Sequence, residues 1–153
     1  MIFVFHILFG LLIAYKMENL AIACFLALLS HYLLDFVPHM EYLVPNIEKK
    51  DWKNSKKDFL KIIIDLLLGA VLITTVQYLT NINYLNIILV LFFAVLPDIL
   101  IFLNFIFSEK KFLKYHSKFH KIIHFPKDKK ISKIWRILIQ TAAAIILVLA
   151  FAT

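Results

Sequence analysis

The chain has 153 residues, of which 62% are hydrophobic and only two are glycine. Soluble domains are usually about 45–50% apolar, and the excess here lies in long blocks, which argues against a soluble fold and indicates that lipid is the solvent. In a membrane protein, the formal net charge of +7 is more typical of a topology signal than of nucleic-acid binding.

Five apolar segments are predicted to be helices. A membrane-spanning helix needs about 20 residues, so the first segment is short and is predicted to cross only with tilt or local thinning of the bilayer. No Lys or Arg precedes it, which favours a retained helix over a cleaved signal peptide. In chain order the segments are residues 2–15, 20–37, 59–79, 84–107 and 134–152. The chain is therefore predicted to form one all-α domain over residues 1–153, a polytopic membrane helix bundle with about five transmembrane helices.

Several polar residues and one proline predict where these helices begin, end or bend. Asn19 and Asp58 are predicted N-caps of the second and third helices. Asn81 and Asn83 predict a tight turn between the third and fourth. Pro97 interrupts the fourth segment and is predicted to kink it or split it into two pieces.

The lysines are concentrated in two polar stretches. Five lie in residues 39–58 and nine in residues 108–133, whereas the other two connections carry only Lys16. With five spans, both rich stretches fall on one side, and the positive-inside rule predicts that this side is cytoplasmic. The expectation is a multi-pass protein of the cell (inner) membrane. Its N-terminus and a His-rich helix or loop between the fourth and fifth spans would face the cytoplasm.

Nine ionisable side chains fall in the predicted cytoplasmic half and are candidate metal ligands. Two triplets among them have the spacing i, i+4, i+8, which places their members on one face of a helix. Imidazole and carboxylate groups at i and i+4 can share one divalent ion. The candidates are His6, His31, Asp35, His39, Asp65, Asp98, His116, His120 and His124.

Each candidate also has an ordinary interpretation. A single helical histidine is more often a packing or hydrogen-bonding residue than a ligand. Asp65 follows Lys61 by one turn and would form an ion pair with it, and Asp98 follows Pro97 and would cap a half-helix. The stretch 116–124 contains lysines and would form a basic amphipathic helix on anionic lipid. Against these alternatives, an unpaired carboxylate in hydrocarbon costs at least a few kcal/mol, and a shared divalent cation would partner several acids at once.

Residues 31–39 read HYLLDFVPH. This segment resembles the HYxxDxxxPxH signature of the zinc-dependent phospholipase C and single-strand nuclease superfamily, in which the His and Asp of HxxxD bind zinc in an all-helical phosphodiesterase. Residues 96–98, LPD, resemble the PD motif of that group. They are equally similar to the PD motif of a bacterial inner-membrane family of metal-dependent hydrolases. That family also has an early histidine in its first membrane helix, which His6 in the first apolar segment of this chain resembles.

The chain departs from these families in three respects. The spacing from Asp35 to His39 is one residue shorter than in the soluble enzymes, the HRGxTHS-like motif of the membrane family is absent, and the order of motifs differs. The resemblance implies that His31 and Asp35 bind the metal and that Asp98 and His6 belong to the same site. It also implies that the metal is zinc. The expected cofactor is therefore one or two divalent ions, Zn²⁺ first, with Mn²⁺ as the other candidate.

The expected function is a metal-dependent hydrolase at the cytoplasmic membrane face, acting on a lipid or lipid-linked phosphoester, with the bilayer and not nucleic acid as its partner. The general base is left open among Asp35, Asp65 and Asp98. The alternatives are a divalent-metal or proton transporter without hydrolase activity and a non-enzymatic membrane adaptor. A transporter needs polar residues across the whole membrane, and the predicted far half offers only Thr74, Thr75, Gln77, Gln140 and Thr141.

Overall fold

The computed structural model describes residues 3–40, 42–107, 109–124 and 131–151. Throughout these ranges the secondary structure is helical and no strand occurs, so the predicted all-α class is confirmed. A short 3-10 turn, Trp52–Asn54, precedes the fourth helix. The α-helices are α1 (Phe3–Lys16), α2 (Leu20–Phe36), α3 (Pro45–Glu48), α4 (Lys56–Thr80), α5 (Tyr84–Ile106), α6 (Lys111–Ile123) and α7 (Lys133–Ala150).

Each of the five predicted apolar segments forms one helix, with bounds close to those expected. Three of them, α4, α5 and α7, are long and apolar enough to cross a membrane. The other two, α1 and α2, are apolar helices of 14 and 17 residues. At 1.5 Å per residue, α1 is about 21 Å long, short of the roughly 30 Å hydrocarbon core. Some residues used in these predictions lie outside the described ranges. They are the two segment ends Ile2 and Ala152, and three lysines of the second lysine-rich stretch, Lys127, Lys129 and Lys130.

The two predicted N-caps have different outcomes. The side chain of Asn19 accepts a hydrogen bond from the amide three residues later, at 3.1 Å, and caps α2 as expected. The prediction for Asp58 is wrong, because α4 already begins at Lys56. The Asp58 carboxylate instead accepts hydrogen bonds from the amides of Asn46 (2.8 Å) and Ile47 (3.3 Å). It thereby satisfies backbone donors at the start of α3 that have no partner within that helix.

The turn between α4 and α5 occurs where the two asparagines predict it. Asn81 ends α4 in the left-handed conformation, with φ 54°, which asparagine tolerates better than most residues. Asn83 caps α5 by accepting a hydrogen bond from the amide of Leu85 at 2.9 Å. Only three residues, 81–83, therefore connect α4 to α5.

Pro97 does not divide α5, which is continuous from Tyr84 to Ile106. Proline removes one backbone donor and would break an isolated helix. Here α1, α2 and α6 all pack against α5, and Pro97 is itself buried. Neighbouring helices commonly support such a proline within a membrane, and so the predicted split is wrong.

The helix α1 lies at the centre of the bundle and packs against α2, α4, α5 and α7. Both glycines of the chain are at its crossing points. A Cβ at Gly10 would lie 2.9 Å from Cδ2 of Leu91 and 3.1 Å from Cβ of Ala94 on α5, and a Cβ at Gly69 on α4 would meet Cδ1 of Ile7. Small residues at these crossings let the backbones approach closely. The packing holds the inward face of α1 against α2 and α5.

Candidate metal centre

His31 and Asp35 are one turn apart on the inward face of α2. The Nε2 atom of His31 lies 3.2 Å from Oδ2 of Asp35, and both side chains are buried. This is the separation that residues at i and i+4 of a helix allow. The predicted pairing of these two residues is therefore present in the structure.

A hydrogen bond to α5 fixes the orientation of the His31 ring. Its Nδ1 atom lies 2.7 Å from the carbonyl oxygen of Ala94, one turn before Pro97. A carbonyl oxygen only accepts, so Nδ1 carries the proton that it donates. Metal-binding histidines usually donate their second ring nitrogen in this way, which leaves the other lone pair for the ion. The Nε2 atom of His31 is thus directed at the acidic cluster.

The helix α6 brings two more histidines to Asp35. The Nε2 atom of His120 lies 2.9 Å from Oδ2 of Asp35 and 3.3 Å from Nε2 of His31. The Nε2 atom of His124 lies 3.9 Å from the other carboxylate oxygen, Oδ1. These side chains come from the predicted i, i+4, i+8 triplet of the basic stretch, which forms a helix as its spacing indicates.

The three donor atoms of His31, Asp35 and His120 form a triangle with sides of 2.9, 3.2 and 3.3 Å. Donors that share a zinc ion, each about 2.0–2.2 Å from it, lie roughly 3–4 Å apart. Asp98 adds a fourth donor, with Oδ1 at 3.7 Å from Nε2 of His31 and 4.0 Å from Nε2 of His120. Its side chain is 32% exposed, whereas the other three are at most 6% exposed. The arrangement is suited to one divalent ion, with Asp98 on its open side.

A second group of donors consists of Asp35, His39 and His124, with ligand atoms within 4.8 Å of one another. His39 follows the end of α2, and its Nδ1 atom lies 2.6 Å from the carbonyl oxygen of Val37. That hydrogen bond leaves Nε2 as its ligand atom. Oδ2 of Asp35 faces His120 and Oδ1 faces His124, so the two carboxylate oxygens face histidines of different donor groups.

His6 lies in a third group, with His31 and Asp98. Its ring stacks on that of His31 with centroids 4.0 Å apart, and its Nε2 atom lies 3.4 Å from Oδ1 of Asp35. The side chain is 1% exposed, yet neither ring nitrogen has a partner with hydrogen-bond geometry in the described parts of the chain. A buried polar group in that state costs about 1–3 kcal/mol. A metal ion would supply a partner for the unprotonated ring nitrogen, so this residue also fits a metal site.

Asp65 is not part of these groups. Its carboxylate accepts hydrogen bonds from the amide of Phe3 at 2.8 Å, from the next amide at 3.2 Å and from the hydroxyl of Tyr42 at 3.1 Å. It therefore caps the start of α1. Burial of the Tyr42 phenol, together with the negative charge of the neighbouring Asp65 carboxylate, raises the pKa of that phenol. The alternative ion pair with Lys61 is not seen either, since that ammonium group lies 3.5 Å from Asp58.

His116 also lies outside the three groups. Its Nε2 atom is 3.2 Å from the hydroxyl oxygen of Tyr32. Burial and the neighbouring His120 and His31 lower the pKa of His116, so its ring favours the neutral form. Tyr32 was not predicted as a site residue, although it stands within the HYxxD motif that drew attention to α2.

The helix α6 has three distinct faces. The inward face carries the histidines, an adjacent face carries lysines, and the remaining face is apolar and largely exposed. The lysines are Lys111, Lys114, Lys118 and Lys121. The apolar residues are Phe112, Tyr115, Phe119 and Ile122, which are 67, 70, 51 and 81% exposed. This stretch can therefore be both a basic amphipathic helix and a source of metal ligands, because the two sets of residues lie on different faces of α6.

Gln140, which the sequence places in the far half of the membrane, lies instead at the end of the bundle that holds the histidine cluster. Gln140 is buried on α7, and its Oε1 atom accepts a hydrogen bond from the amide of Met40 at 3.3 Å. Met40 directly follows His39. The prediction was wrong because α7 begins at Lys133, so Gln140 is only about two turns from the start of its helix.

Seven of the nine predicted ligands occur in the three groups, and Asp65 and His116 do not. In comparisons with known proteins, no family, curated protein or solved structure matches the chain. The chemistry of the site is therefore interpreted from its own geometry. Histidine nitrogens and carboxylate oxygens in this number fit a divalent ion such as Zn²⁺.

Proposed function

We propose that this protein is a metal-dependent hydrolase of the cell membrane that cleaves phosphoesters at the cytoplasmic face. The observation that carries the proposal is the triangle of donor atoms from His31, Asp35 and His120. The helices α1, α2, α4, α5 and α7 would lie in the bilayer. The lysine-rich connections, which attract anionic groups, would lie on the cytoplasmic side.

His31, Asp35 and His120 would hold one divalent ion, and His39 and His124 would share Asp35 with a second. Zn²⁺ is the expected ion and Mn²⁺ the alternative. When bound, such ions supply Lewis acidity toward water and toward a phosphoryl oxygen. Structural zinc sites are closed and four-coordinate, whereas catalytic sites keep a position open. The partial exposure of Asp98 supports a site that remains accessible.

Asp98 is the proposed general base. It is the acid of the cluster that lines the neighbouring cavity, so it is placed to meet both water and substrate. In the proposed step, the oxygen of water forms a bond to phosphorus and the ester oxygen leaves with its electron pair. Asp98 accepts the proton from water and returns it to the leaving oxygen.

The transporter alternative requires a polar path through the far half of the bundle. Thr74 and Thr75 on α4 instead donate their hydroxyl groups to carbonyl oxygens of their own helix, including that of Val71. Those hydroxyl groups are then occupied within the helix. This supports a pocket that opens on one side over a path across the membrane.

The proposal is tested with purified protein in detergent, loaded with Zn²⁺ or Mn²⁺, and bis(p-nitrophenyl) phosphate as substrate. We expect metal-dependent release of p-nitrophenol, and we expect Asp35→Asn to abolish it while the circular dichroism of the helices is retained. Metal content is measured beside turnover. If the wild type holds stoichiometric metal yet cleaves no phosphoester, ester or amide, a structural or transport role replaces the hydrolase.

A further inference from the structure

The helix α6 buries few side chains against the bundle, although it positions two residues of the candidate metal centre. Of its thirteen residues, only Leu113 and His120 are buried. His120 and His124, which directly follows the helix, both lie at Asp35. Most of the stability of a helix in a protein comes from packing of its apolar face, so the position of the two histidines depends on what covers the apolar face of α6.

The apolar face of α6 points away from the bundle. Its four large side chains follow one another at intervals of three, four and three residues, which places them on one side of the helix. Each is more than half exposed. In a soluble protein such a stripe faces the core, and exposed apolar patches mark sites that bind a protein or a membrane. The residues are Phe112, Tyr115, Phe119 and Ile122.

The charges of α6 indicate what covers this face. One lysine directly precedes each of the four apolar residues, so the lysine face adjoins the apolar face along the whole helix, and no Asp or Glu occurs in α6. An anionic lipid leaflet matches both faces, because its acyl chains receive the apolar side chains and its phosphates attract the ammonium groups. The lysines are Lys111, Lys114, Lys118 and Lys121.

The apolar face of α6 also adjoins the outer surface of α2. The ring of Phe119 contacts that of Tyr32 on α2, with centroids 5.5 Å apart. Phe36, one turn after Tyr32 on the same side of α2, is 68% exposed. In the proposed topology α2 lies in the bilayer, so its exposed side faces lipid. The leaflet that surrounds the end of α2 therefore extends to the apolar face of α6.

We propose that α6 binds the cytoplasmic leaflet of an anionic bilayer through these two faces, and that this binding holds His120 and His124 at the metal centre. The faces of a helix are fixed relative to one another, so lipid on the apolar face favours the orientation in which the histidines face Asp35. Zn²⁺ and anionic lipid should then each strengthen the binding of the other. The proposal rests on the metal centre of the proposed function, but not on hydrolysis.

The first experiment measures where the faces of α6 lie. The two natural tryptophans are removed by Trp52→Phe and Trp135→Phe, and the protein is placed in nanodiscs of phosphatidylcholine and phosphatidylglycerol with brominated acyl chains. We expect the bromines to quench the fluorescence of a Tyr115→Trp variant strongly and that of a Lys114→Trp variant less. Equal quenching in the two variants, or none in Tyr115→Trp because a second copy of the chain covers this face, overturns the proposal.

The second experiment measures the Kd for Zn²⁺, at buffered free Zn²⁺, in nanodiscs of phosphatidylcholine with and without phosphatidylglycerol. We expect the anionic lipid to lower the Kd of the wild type roughly tenfold, the effect of one to two lysines at an anionic surface. Lys114→Gln/Lys118→Gln should remove most of this difference. Lys56→Gln/Lys57→Gln should retain it, because these exposed lysines belong to α4 and their removal changes the net charge equally.

The two double variants also control for Zn²⁺ that the anionic lipid itself attracts, since that attraction is the same for both. An equal lipid dependence in both variants overturns the coupling between α6 and the metal. Tight Zn²⁺ binding that is independent of phosphatidylglycerol in the wild type also overturns it, and leaves the proposed function standing. Absence of Zn²⁺ binding in every bilayer refutes both the coupling and the metal centre of the proposed function.

Discussion

The Nε2 atom of His120 on α6 lies 2.9 Å from Oδ2 of Asp35 on α2. This contact joins two sequence triplets that lie far apart in the chain, and both side chains are buried. Because His31 and His124 approach the same carboxylate, Asp35 is the residue on which the cluster depends.

Removing the charge of Asp35 should remove the metal. Asp35→Asn keeps the size of the side chain but replaces an anionic donor that faces several histidines, so we expect loss of stoichiometric Zn²⁺ from the purified protein. Asp65→Asn is the matched control, because Asp65 is also a buried helical carboxylate but lies outside the donor groups. The measurement is metal content per folded protein. Retention of full zinc by Asp35→Asn would refute the assignment.

Asp65 should stabilise the bundle without binding metal. Its carboxylate accepts two hydrogen bonds from the first turn of α1 and one from Tyr42. Hydrogen bonds to charged groups contribute about 1.5–3 kcal/mol each, so Asp65→Asn should lower the thermal unfolding temperature clearly. Tyr42→Phe, which removes only one of the three, should lower it less. The opposite order would show that the backbone contacts are not the important ones.

The two glycines should respond differently to the same substitution. Gly10→Ala places a methyl group 3.1 Å from Cβ of Ala94, which cannot move without its backbone, and overpacking of this kind typically costs about 1–3 kcal/mol. Gly69→Ala meets only the end of the Ile7 side chain, which can rotate. Both variants gain the same helix propensity, about 1 kcal/mol. The difference between their unfolding temperatures therefore measures the effect of overpacking where α1 crosses α5.

Gly10→Ala should also weaken zinc binding, since the carbonyl of Ala94 orients His31. Thermal unfolding and zinc titration of the two variants test this. Equal unfolding temperatures and equal zinc affinities would contradict the account of the α1–α5 crossing.

The topology predicts which positions are reached from outside the cell. In a Cys24→Ala background, single cysteines replace Lys53 and Lys118 in the lysine-rich stretches and Tyr84 at the opposite end of the bundle. A membrane-impermeant maleimide should label Tyr84→Cys in intact cells and the other two only after permeabilisation. Labelling of Lys53→Cys and Lys118→Cys from different sides would exclude the five-span arrangement.

Local sequence patterns predicted the helices and most of the cluster. Long apolar runs defined the helices to within a few residues, because hydrophobicity is a property of each segment alone. The spacing from His31 to Asp35 predicted their shared face for the same reason. The contact between His120 and the histidine–aspartate pair of α2 could be expected from the predicted topology, which placed both at the same end of the bundle.

Relations between helices were harder to predict. Asp65 and Asp58 both cap a different helix from their own, and no local pattern indicates which distant amides a carboxylate meets. The continuity of α5 through Pro97 depends on the helices packed around it. Tyr32 contacts His116 only because α6 lies against α2, which the spacing within either helix does not specify.

The central position of α1 has a consequence for how the protein is made. The helix α1 is synthesised before the helices that pack against it, and it is shorter than the hydrocarbon core of a bilayer. The carboxylate that accepts the amide hydrogens of its first turn belongs to Asp65, which is synthesised much later. The α5 residues that face Gly10 of α1, Leu91 and Ala94, are synthesised later still. In the proposed membrane topology, α1 therefore remains incompletely packed until α4 and α5 have been inserted, and the histidine cluster can form around Asp35 only after α6 has followed.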